Sequence, residues 1–409
     1  MTDSRTPYQD ARVATLKLLD YCRSNEWAGY DPYDALNSGL FNALPFLNSR
    51  IPRLVLTQAL KKSPINVRSL LRIPKTQNPK GLALFLSAFI RLSKIGVEHQ
   101  QELISLMIER LGALRSPGVS YWCWGYSFPW QTRTILVPAG APNLVCTSFV
   151  ANALLDVYDD CGDSRCLSMA VSAAEYILNE LYWTSGDAVA GFSYPLPTRR
   201  AQIHNANFLA AALLCRVHKR TGERKFLDPA LKVARHSAAK QNADGSWYYG
   251  EEPSAGWIDN FHTGFNLCAL RSLGDDLGTA EFKTCIERGF AFYRDHFFRE
   301  DGVARYFHDR TYPIDVHSVA QSIITLATLK DLDPKNLPLA YQVLGWAMNH
   351  LRDARGCFYY RALRFCKIRT SYMRWSQAWM LLAMATLLSE SENPAALSAA
   401  DNPMAWVKV

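Results

Sequence analysis

The chain has 409 residues, of which 49% are hydrophobic and 20% are charged, and its formal net charge is +8. This composition is typical of a soluble globular protein with a large core, and the length alone does not impose two domains. No apolar run reaches the roughly 20 residues that a membrane-spanning helix requires, and the N-terminal sequence MTDSRTPYQDARV lacks the apolar stretch of a secretory signal. We therefore expect a cytoplasmic protein without a transmembrane segment.

The charge and the cysteines narrow the class further. The positive charge is not gathered in a polybasic run, so no nucleic-acid partner is expected, whereas an acidic small molecule or glycan stays open. The ten cysteines are scattered without a C-x-x-C pair, and Cys146, Cys215 and Cys268 lie within apolar helical patterns. We expect buried free thiols rather than a disulfide framework.

Two kinds of helix alternate along the chain. After an N-terminal helix over about 8–25, long apolar helices begin at steps of 55 to 62 residues. Their starts lie near Gly81, Asn143, His204, Asp259, Asp315 and Met373. Helices with a charged face lie between them, over about 98–115, 164–182, 224–242, 279–298 and 336–352. A near-constant step of this size indicates one helical hairpin repeated, with buried inner helices and half-exposed outer helices.

The count of helices predicts a closed ring. Six inner helices have five outer partners downstream, and the helix over 8–25 supplies the sixth beside the last inner helix. The predicted fold is all-α, an (α/α)6 toroid that forms a single domain over 1–409, with any strands confined to short hairpins in the loops. An open α-solenoid is the alternative. It is disfavoured because the inner helices are too apolar to line an exposed groove.

Each connection from an outer helix to the next inner helix is rich in aromatic residues. The five connections cover 120–130, 191–197, 244–260, 301–315 and 356–375. Their common position in the repeat predicts that all five emerge at one end of the toroid. In the stretch QNADGSWYYG at 241–250, an Asp-Gly turn signal is followed at once by Trp247 and two tyrosines. Two interpretations of Trp247 stay open, a seal between neighbouring hairpins and a wall of a ligand site.

The starts of the inner helices carry polar side chains, which a closed ring would turn toward one axial funnel. Aspartate is a favoured N-cap, so Asp259 and Asp315 also have a purely structural explanation. Histidine is not a preferred cap, and three histidines at equivalent entrances favour a functional site. The predicted catalytic residues are Asp259, His262, Asp315, His317 and His204. The predicted substrate-binding residues are Asn143, Asn205, Trp247, Tyr249, Tyr372, Arg374, Trp375 and Gln377.

Arginines in and beside the same loops indicate an anionic ligand, because planar guanidinium groups suit carboxylate, sulfate or phosphate. They are Arg133, Arg199, Arg200, Arg305, Arg310, Arg361, Arg364, Arg369 and Arg374. Aromatic rings would cover the apolar face of a sugar, and amides would bind its hydroxyl groups. We expect no metal and no cofactor, because the spacing of the histidines and aspartates matches no zinc signature.

Several segments resemble those of known families. QNADGSW resembles the repeat motif of squalene-hopene-type terpenoid cyclases, which are α-toroids, although the acidic D-x-D-D segment of those enzymes is absent. The layout is similar to that of (α/α)6 carbohydrate enzymes, including unsaturated glucuronyl hydrolases and toroid polysaccharide lyases. GYDPYDALNS, IHNANFLAAALL, WIDNFHTGFNLCAL and YMRWSQAWM resemble segments of a bacterial toroid family associated with capsule and exopolysaccharide biosynthesis. The first resemblance implies the fold alone, and the last implies a role in polysaccharide metabolism without assigning the chemistry.

The predicted function is that of a carbohydrate-active enzyme acting on an acidic glycan, and hydrolysis is one chemistry that fits. Hydrolysis of a glycosidic bond requires two carboxylates that flank it. Asp259 and Asp315 are the best pair, and Asp31 and Asp34 of GYDPYD are further candidates.

Lyase or epimerase chemistry on a uronate is the other chemistry that fits. It requires neutralisation of the uronate charge and a base near the acidic proton. Residues suited to these roles are His262, Asn205, Arg374 and either Tyr249 or Tyr372. Two other functions remain as alternatives, a glycan-binding or assembly protein of capsule or exopolysaccharide synthesis without turnover, and a terpenoid-cyclase-like toroid. The expected partner is an acidic oligosaccharide or polysaccharide, and lipid-linked forms belong to that expectation.

Overall fold

The computed structural model describes residues 5–97, 100–186 and 189–391. The α-helices of these ranges are α1 (Pro7–Ser24), α2 (Gly39–Asn42), α3 (Arg50–Lys62), α4 (Pro79–Lys94), α5 (Gln100–Ala113), α6 (Leu144–Cys161), α7 (Ser164–Tyr176), α8 (His204–Thr221), α9 (Arg224–Ala238), α10 (Asn260–Leu277), α11 (Lys283–Phe297), α12 (Val316–Thr328), α13 (Asn336–His350) and α14 (Trp379–Glu390). In these ranges, no helix is both long enough and apolar enough to cross a membrane.

Short irregular helices and hairpins occupy the connections. 3₁₀ turns cover Asp34–Asn37, Pro45–Leu47, Pro253–Ala255 and Lys330–Leu332, and π-helical turns cover Ile177–Leu181 and Met373–Ala378. The strands are β1 (Trp130–Gln131), β2 (Leu136–Val137), β3 (Tyr182–Ser185), β4 (Val189–Phe192), β5 (Ile314–Asp315), β6 (Arg361–Ala362) and β7 (Lys367–Ile368). All pair antiparallel, β1 with β2, β3 with β4, and β5 with β6 and β7 in one small sheet. The pairs β1–β2, β3–β4 and β6–β7 are short loop hairpins, as the sequence predicts, whereas β5 joins β6 from a different connection.

Six helices form a closed inner ring. Helices α4, α6, α8, α10, α12 and α14 each pack against the next, and α14 packs against α4. Helices α4 and α14 are buried almost all round, because each contacts two ring neighbours and an outer helix. The predicted (α/α)6 toroid, with its aromatic loops at one end, is confirmed. The extent of a single domain over 1–409 stays a prediction, and residues 1–4, 98–99, 187–188 and 392–409 lie outside the described part.

A repeated glycine turn shows how the N-terminal helix takes its place in the ring. Gly245, Gly302 and Gly356 adopt φ values of 92°, 82° and 92°, which favour glycine. Each lies against the next outer helix, where an added Cβ would come within 2.3 to 2.9 Å of its atoms. The first two turns contact α11 and α13, and Gly356 contacts Lys17 of α1. Helix α1 therefore occupies the position of the next outer helix, and it packs against α13 and α14.

Polar caps begin the inner helices at the end where the aromatic loops lie. Asn78, Asn143, Asp259 and Asp315 each accept a hydrogen bond from a backbone N–H of the first turn of their helix. Helices α6, α8 and α10 each end at a glycine in the left-handed conformation. The caps fix where each inner helix begins, and thus place the following residues around the funnel.

Residues 241–250 form a seal between hairpins. Trp247 is buried, packs edge-on against Phe208 of α8, and donates from Nε1 to the Ser237 carbonyl of α9. Gln241 donates to the carbonyl of Cys285 in α11, and Gly289 of that helix leaves room for the Trp247 ring. Of the two interpretations of Trp247, the structure favours the structural one.

Candidate functional site

The aromatic loops surround a cavity of about 510 Å³ at the N-terminal ends of the inner helices. All five predicted loops contribute to its wall, with Tyr126, Tyr194, Trp257, Tyr306 and Trp375 as one aromatic residue from each. A funnel of this size, walled by aromatic rings with a few polar groups, is typical of a small-molecule site.

Seven of the thirteen predicted site residues line this cavity. They are Asn205, Tyr249, Asp259, His262, His317, Arg374 and Trp375. The other six lie outside its lining, namely Asn143, His204, Trp247, Asp315, Tyr372 and Gln377.

The best-defined polar pair in the cavity is Asp259 and His262. Asp259 caps α10 by accepting from the His262 backbone N–H at 3.0 Å, and its Oδ2 lies 2.7 Å from His262 Nδ1. Trp257 Nε1 donates to the same Oδ2 at 3.0 Å. A carboxylate beside Nδ1 favours the imidazole tautomer with its proton there, which leaves Nε2 as the basic nitrogen. Asp259 is therefore both a cap and the partner that orients His262.

Lys80 is a cavity residue that the sequence analysis missed. It lies in the first turn of α4, is 4% exposed, and holds its Nζ 4.1 Å from the centroid of the Phe149 ring. Phe265 and Trp379 complete an aromatic cage around the ammonium group. Burial, with a contribution from the positive charge of Arg374, lowers the pKa of Lys80 to about 7. Lys80 therefore exchanges its proton near neutral pH.

His317 lies on the other side of that cage. Its ring stacks between Phe261 and Trp379, with centroid distances of 4.5 Å to each. The residue is 1% exposed, and both ring nitrogens lack a hydrogen-bond partner within the described part of the chain. Burial, together with the charges of Lys80 and Arg374, holds the pKa of His317 well below its usual range. It is a neutral imidazole at the floor of the cavity.

Arg374 is held by a buried carboxylate from the N-terminal part of the chain. Its Nε and one terminal nitrogen donate to the two Asp31 oxygens at 2.7 and 2.8 Å, and the Tyr126 ring lies 5.0 Å from its guanidinium carbon. Asp34 forms the neighbouring buried pair with Arg68. Burial raises the pKa of Asp34 to about 6, opposed by Arg68. Both aspartates of GYDPYD thus position arginines instead of lining the cavity.

Asp315 is fully engaged outside the cavity. It caps α12 through the His317 backbone N–H, lies 2.5 Å from Arg361 Nε, and accepts from Trp375 Nε1 at 2.9 Å. Antiparallel pairing of β5 with β6 sets Asp315 opposite Arg361. Its exposure is 0%. Asp259 is consequently the only carboxylate-bearing residue among the described residues that line the cavity.

The other predicted residues outside the lining support the wall from behind. Asn143 caps α6, and Gln377 bonds both backbone groups of Phe358. Tyr372 packs edge-on against Tyr360, with Arg68 near its ring. His204 is buried below Tyr249, whose carbonyl accepts from the His204 backbone N–H. Burial lowers the pKa of His204 to about 4, so it is uncharged at neutral pH.

Positive charge dominates the cavity. Of the nine arginines predicted near it, Arg133, Arg310 and Arg374 line it, together with Lys80. A second cavity of about 650 Å³ shares Trp257, Phe307 and Arg310 with the first, so the two spaces adjoin. Within the described ranges, no cluster of three or more His, Cys, Asp or Glu side chains is arranged to hold a metal ion.

Comparison with solved structures finds the same toroid architecture in proteins that act on carbohydrates. A sugar epimerase from a ruminal bacterium shares 12% identity with a TM-score of 0.59, over 78% of this chain and 88% of the epimerase. An unsaturated glucuronyl hydrolase specific for heparin shares 11% identity with a TM-score of 0.59, over 93% of this chain and 96% of that one. A family 76 glycoside hydrolase from a bovine Bacteroides thetaiotaomicron strain shares 15% with a TM-score of 0.59, over 77% and 69%.

No protein-family model matches the chain, and no curated protein matches it significantly in sequence. At the identities given above, the structural likeness establishes the fold alone. The chain is therefore an (α/α)6 toroid of the architecture that these sugar epimerases and glycoside hydrolases share.

Proposed function

We propose that this chain is a carbohydrate-active enzyme that moves a proton at a carbon atom of an acidic sugar, in an epimerase or lyase type of reaction. The observation that supports it best is the Asp259–His262 pair, which presents a basic imidazole to a cationic, aromatic cavity. Proton transfer by a positioned histidine typically contributes 10²–10⁴-fold to a rate.

The roles of the cavity residues follow from their positions. His262 Nε2 would remove the proton next to the sugar carboxylate, and the electron pair left on carbon would spread onto the carboxylate oxygens. Arg374 and the ammonium form of Lys80 would stabilise that negative charge. Return of a proton from Lys80 to the opposite face would give the epimer. In a lyase reaction the electron pair would instead form a double bond to the neighbouring carbon as its C–O bond breaks, and the leaving oxygen would take the proton of Lys80 and depart as a hydroxyl group. Asn205 would bind hydroxyl groups, and Tyr249 and Trp257, stacked at 4.4 Å, would form an aromatic wall.

Hydrolysis has less support in this geometry. A hydrolase needs two carboxylates on opposite sides of the scissile bond, whereas Asp315 is buried in its pair with Arg361, and Asp259 is occupied by His262 and Trp257. The geometry of this cavity therefore favours the epimerase or lyase type of reaction over hydrolysis.

We further place the reaction in capsule or exopolysaccharide metabolism, in the cytoplasm and with lipid-linked glycans among the substrates. Support comes from the sequence resemblance to a bacterial toroid family of that context. The structural neighbours include a sugar epimerase and a glucuronyl hydrolase. The terpenoid-cyclase alternative has little support, because the cavity carries Lys80, Arg133, Arg310 and Arg374.

Deuterium exchange would test the proposal. Acidic oligosaccharides are incubated with the protein in D₂O, proton NMR follows loss of the signal next to the carboxylate, and ultraviolet absorbance follows the conjugated lyase product. We expect exchange with wild type and a loss of about 10²–10⁴-fold in rate for His262→Gln. The matched control is His350→Gln on the exposed outer helix α13, which should react like wild type. Tight binding without exchange in wild type would instead identify a glycan-binding or assembly protein.

A further inference from the structure

The segment over 39–75, between α1 and α4, carries an unusual share of the exposed apolar surface. The described part of the chain has twelve large hydrophobic residues with exposed side chains, and seven lie in this segment, at 39% to 76% exposure. They are Leu40, Leu44, Phe46, Ile51, Val55, Ile65 and Leu70. Single exposed apolar residues are normal on a protein surface, whereas such a concentration marks an interaction site.

The same segment holds most of the excess positive charge. No aspartate or glutamate occurs between Asp34 and Glu98, and the segment over 39–75 contains seven lysines and arginines. Arg68 is buried in its pair with Asp34. The other six are Arg50, Arg53, Lys61, Lys62, Arg72 and Lys75. The charge that looks dispersed along the whole sequence is therefore concentrated on one small part of the fold.

The segment packs inward through a small core of its own, which is separate from that of the toroid. Ala35, Leu60 and Ile73 form this core. Helix α3 turns Leu60 toward it, while Ile51 and Val55, one turn apart, are 72% and 62% exposed. Ile51 and Val55 therefore point away from this core. We call the outward surface, which is formed by the seven apolar residues and the exposed Arg50, Lys62, Arg72 and Lys75, the basic apolar face.

We propose that the basic apolar face docks on the surface of an anionic lipid bilayer. Apolar side chains would enter the interface between headgroups and acyl chains, and the lysines and arginines would lie against the phosphates. The uniform sign of the charge favours this partner, because the surface of an anionic bilayer presents continuous negative charge to every basic residue of the face. The inference is independent of the reaction proposed above.

The face lies next to the wall of the cavity. Lys61 Nζ is 2.6 Å from the Tyr33 hydroxyl and lies over the Tyr33 ring, and Tyr33 lines the cavity. Arg53 donates to Gln131 of β1, next to the cavity residue Trp130. Docking would thus hold the cavity close to the bilayer.

Vesicle sedimentation tests the proposal with the full chain. Wild type is mixed with vesicles of phosphatidylcholine alone or with phosphatidylglycerol added. The test variants are Phe46→Ser with Ile51→Ser, and Arg50→Glu with Lys62→Glu. We expect wild type to bind the anionic vesicles only, and each double variant to bind at least about tenfold more weakly. The matched control is Arg224→Glu with Lys283→Glu on outer helices, whose side chains are 79% and 70% exposed. It makes the same change in net charge and should bind like wild type.

Four results would overturn the proposal. One is failure of wild type to bind anionic vesicles at low salt, and another is an equal loss of binding in the control. The third is self-association or capture of a protein that Phe46→Ser with Ile51→Ser abolishes while vesicles stay unbound, which would make the face a protein interface. Thermal unfolding of every variant shows whether it is folded. A folded charge variant that still binds like wild type would equally contradict the role of the basic residues.

Discussion

Replacing Asp315 by asparagine separates the structural role of this residue from a catalytic one. Asparagine is itself a good N-cap, so a residue that only capped α12 would lose almost no stability. The structure adds a buried ion pair, because Arg361 lies 2.5 Å away with its side chain 14% exposed and that of Asp315 at 0%. Breaking a buried pair by removing one charge costs about 3–5 kcal/mol. At about 2.1 cal/mol/K per residue, the unfolding entropy of 409 residues is about 0.86 kcal/mol/K. The unfolding midpoint should therefore fall by about 3 to 6 °C.

The assay is thermal unfolding by circular dichroism at pH 7, combined with kcat/KM for the exchange reaction. Asp163→Asn provides the matched control, since Asp163 also caps a helix, α7, and pairs with an arginine, but Arg165 is 82% exposed. Its midpoint should fall by at most about 1 °C, because exposed pairs contribute about 0–1 kcal/mol. If Asp315→Asn melted like Asp163→Asn and lost activity, the ion-pair reasoning would be refuted and Asp315 would act in catalysis.

Three further predictions concern the cavity. Lys80→Met should raise the unfolding midpoint at pH 7, and this gain should become smaller toward pH 10. Burial lowers the pKa of Lys80 to about 7, so between that pH and about 10 the unfolded chain binds one proton more than the folded chain. The stability of wild type therefore rises with pH across this range. A constant difference across this range, measured by thermal unfolding, would show that Lys80 does not titrate as expected. Asp259→Asn should keep the cap of α10 but lower kcat/KM by about 10²–10⁴-fold, because an amide no longer holds the His262 imidazole in one tautomer. Near-normal kinetics of this variant would exclude a role of Asp259 in orienting His262. Binding of an acidic oligosaccharide, measured by calorimetry, should weaken as ionic strength rises from about 0.01 to about 1 M, and salt-independent binding would count against the cationic cavity.

The sequence was sufficient to predict the ring, because the ring is a repeated local pattern. Apolar helices at steps of 55 to 62 residues carry the same information six times, so an error in one helix leaves the period intact. The segment over 39–75 does not follow the repeat. Its apolar residues are divided between a small core and the surface, and periodicity alone does not distinguish the two.

The cavity was only partly predictable. Asp259 and His262 were selected by their position at a helix start, and the structure shows them paired. Asp315 has the same position in sequence, and its partner Arg361 comes from a hairpin that no local pattern links to it. Lys80 was missed although one signal was available, a single lysine opening the otherwise apolar run GLALFLSAFI. Such a lysine usually extends its ammonium group to water, and only the packing of Phe149 and Trp379 around it shows that it does not.

The contact between α14 and α4 also bears on how the protein is made. During synthesis α4 leaves the ribosome early, whereas α14, which covers one of its flanks, is among the last described helices to emerge. Until then the growing chain is an incomplete arc with two apolar edges. Joining these edges requires closing a very long loop, and the entropic cost of closure comes before any stabilising contact between them. Such open intermediates are the species that chaperones bind. Yield in the cell should accordingly depend on how long that last edge stays uncovered.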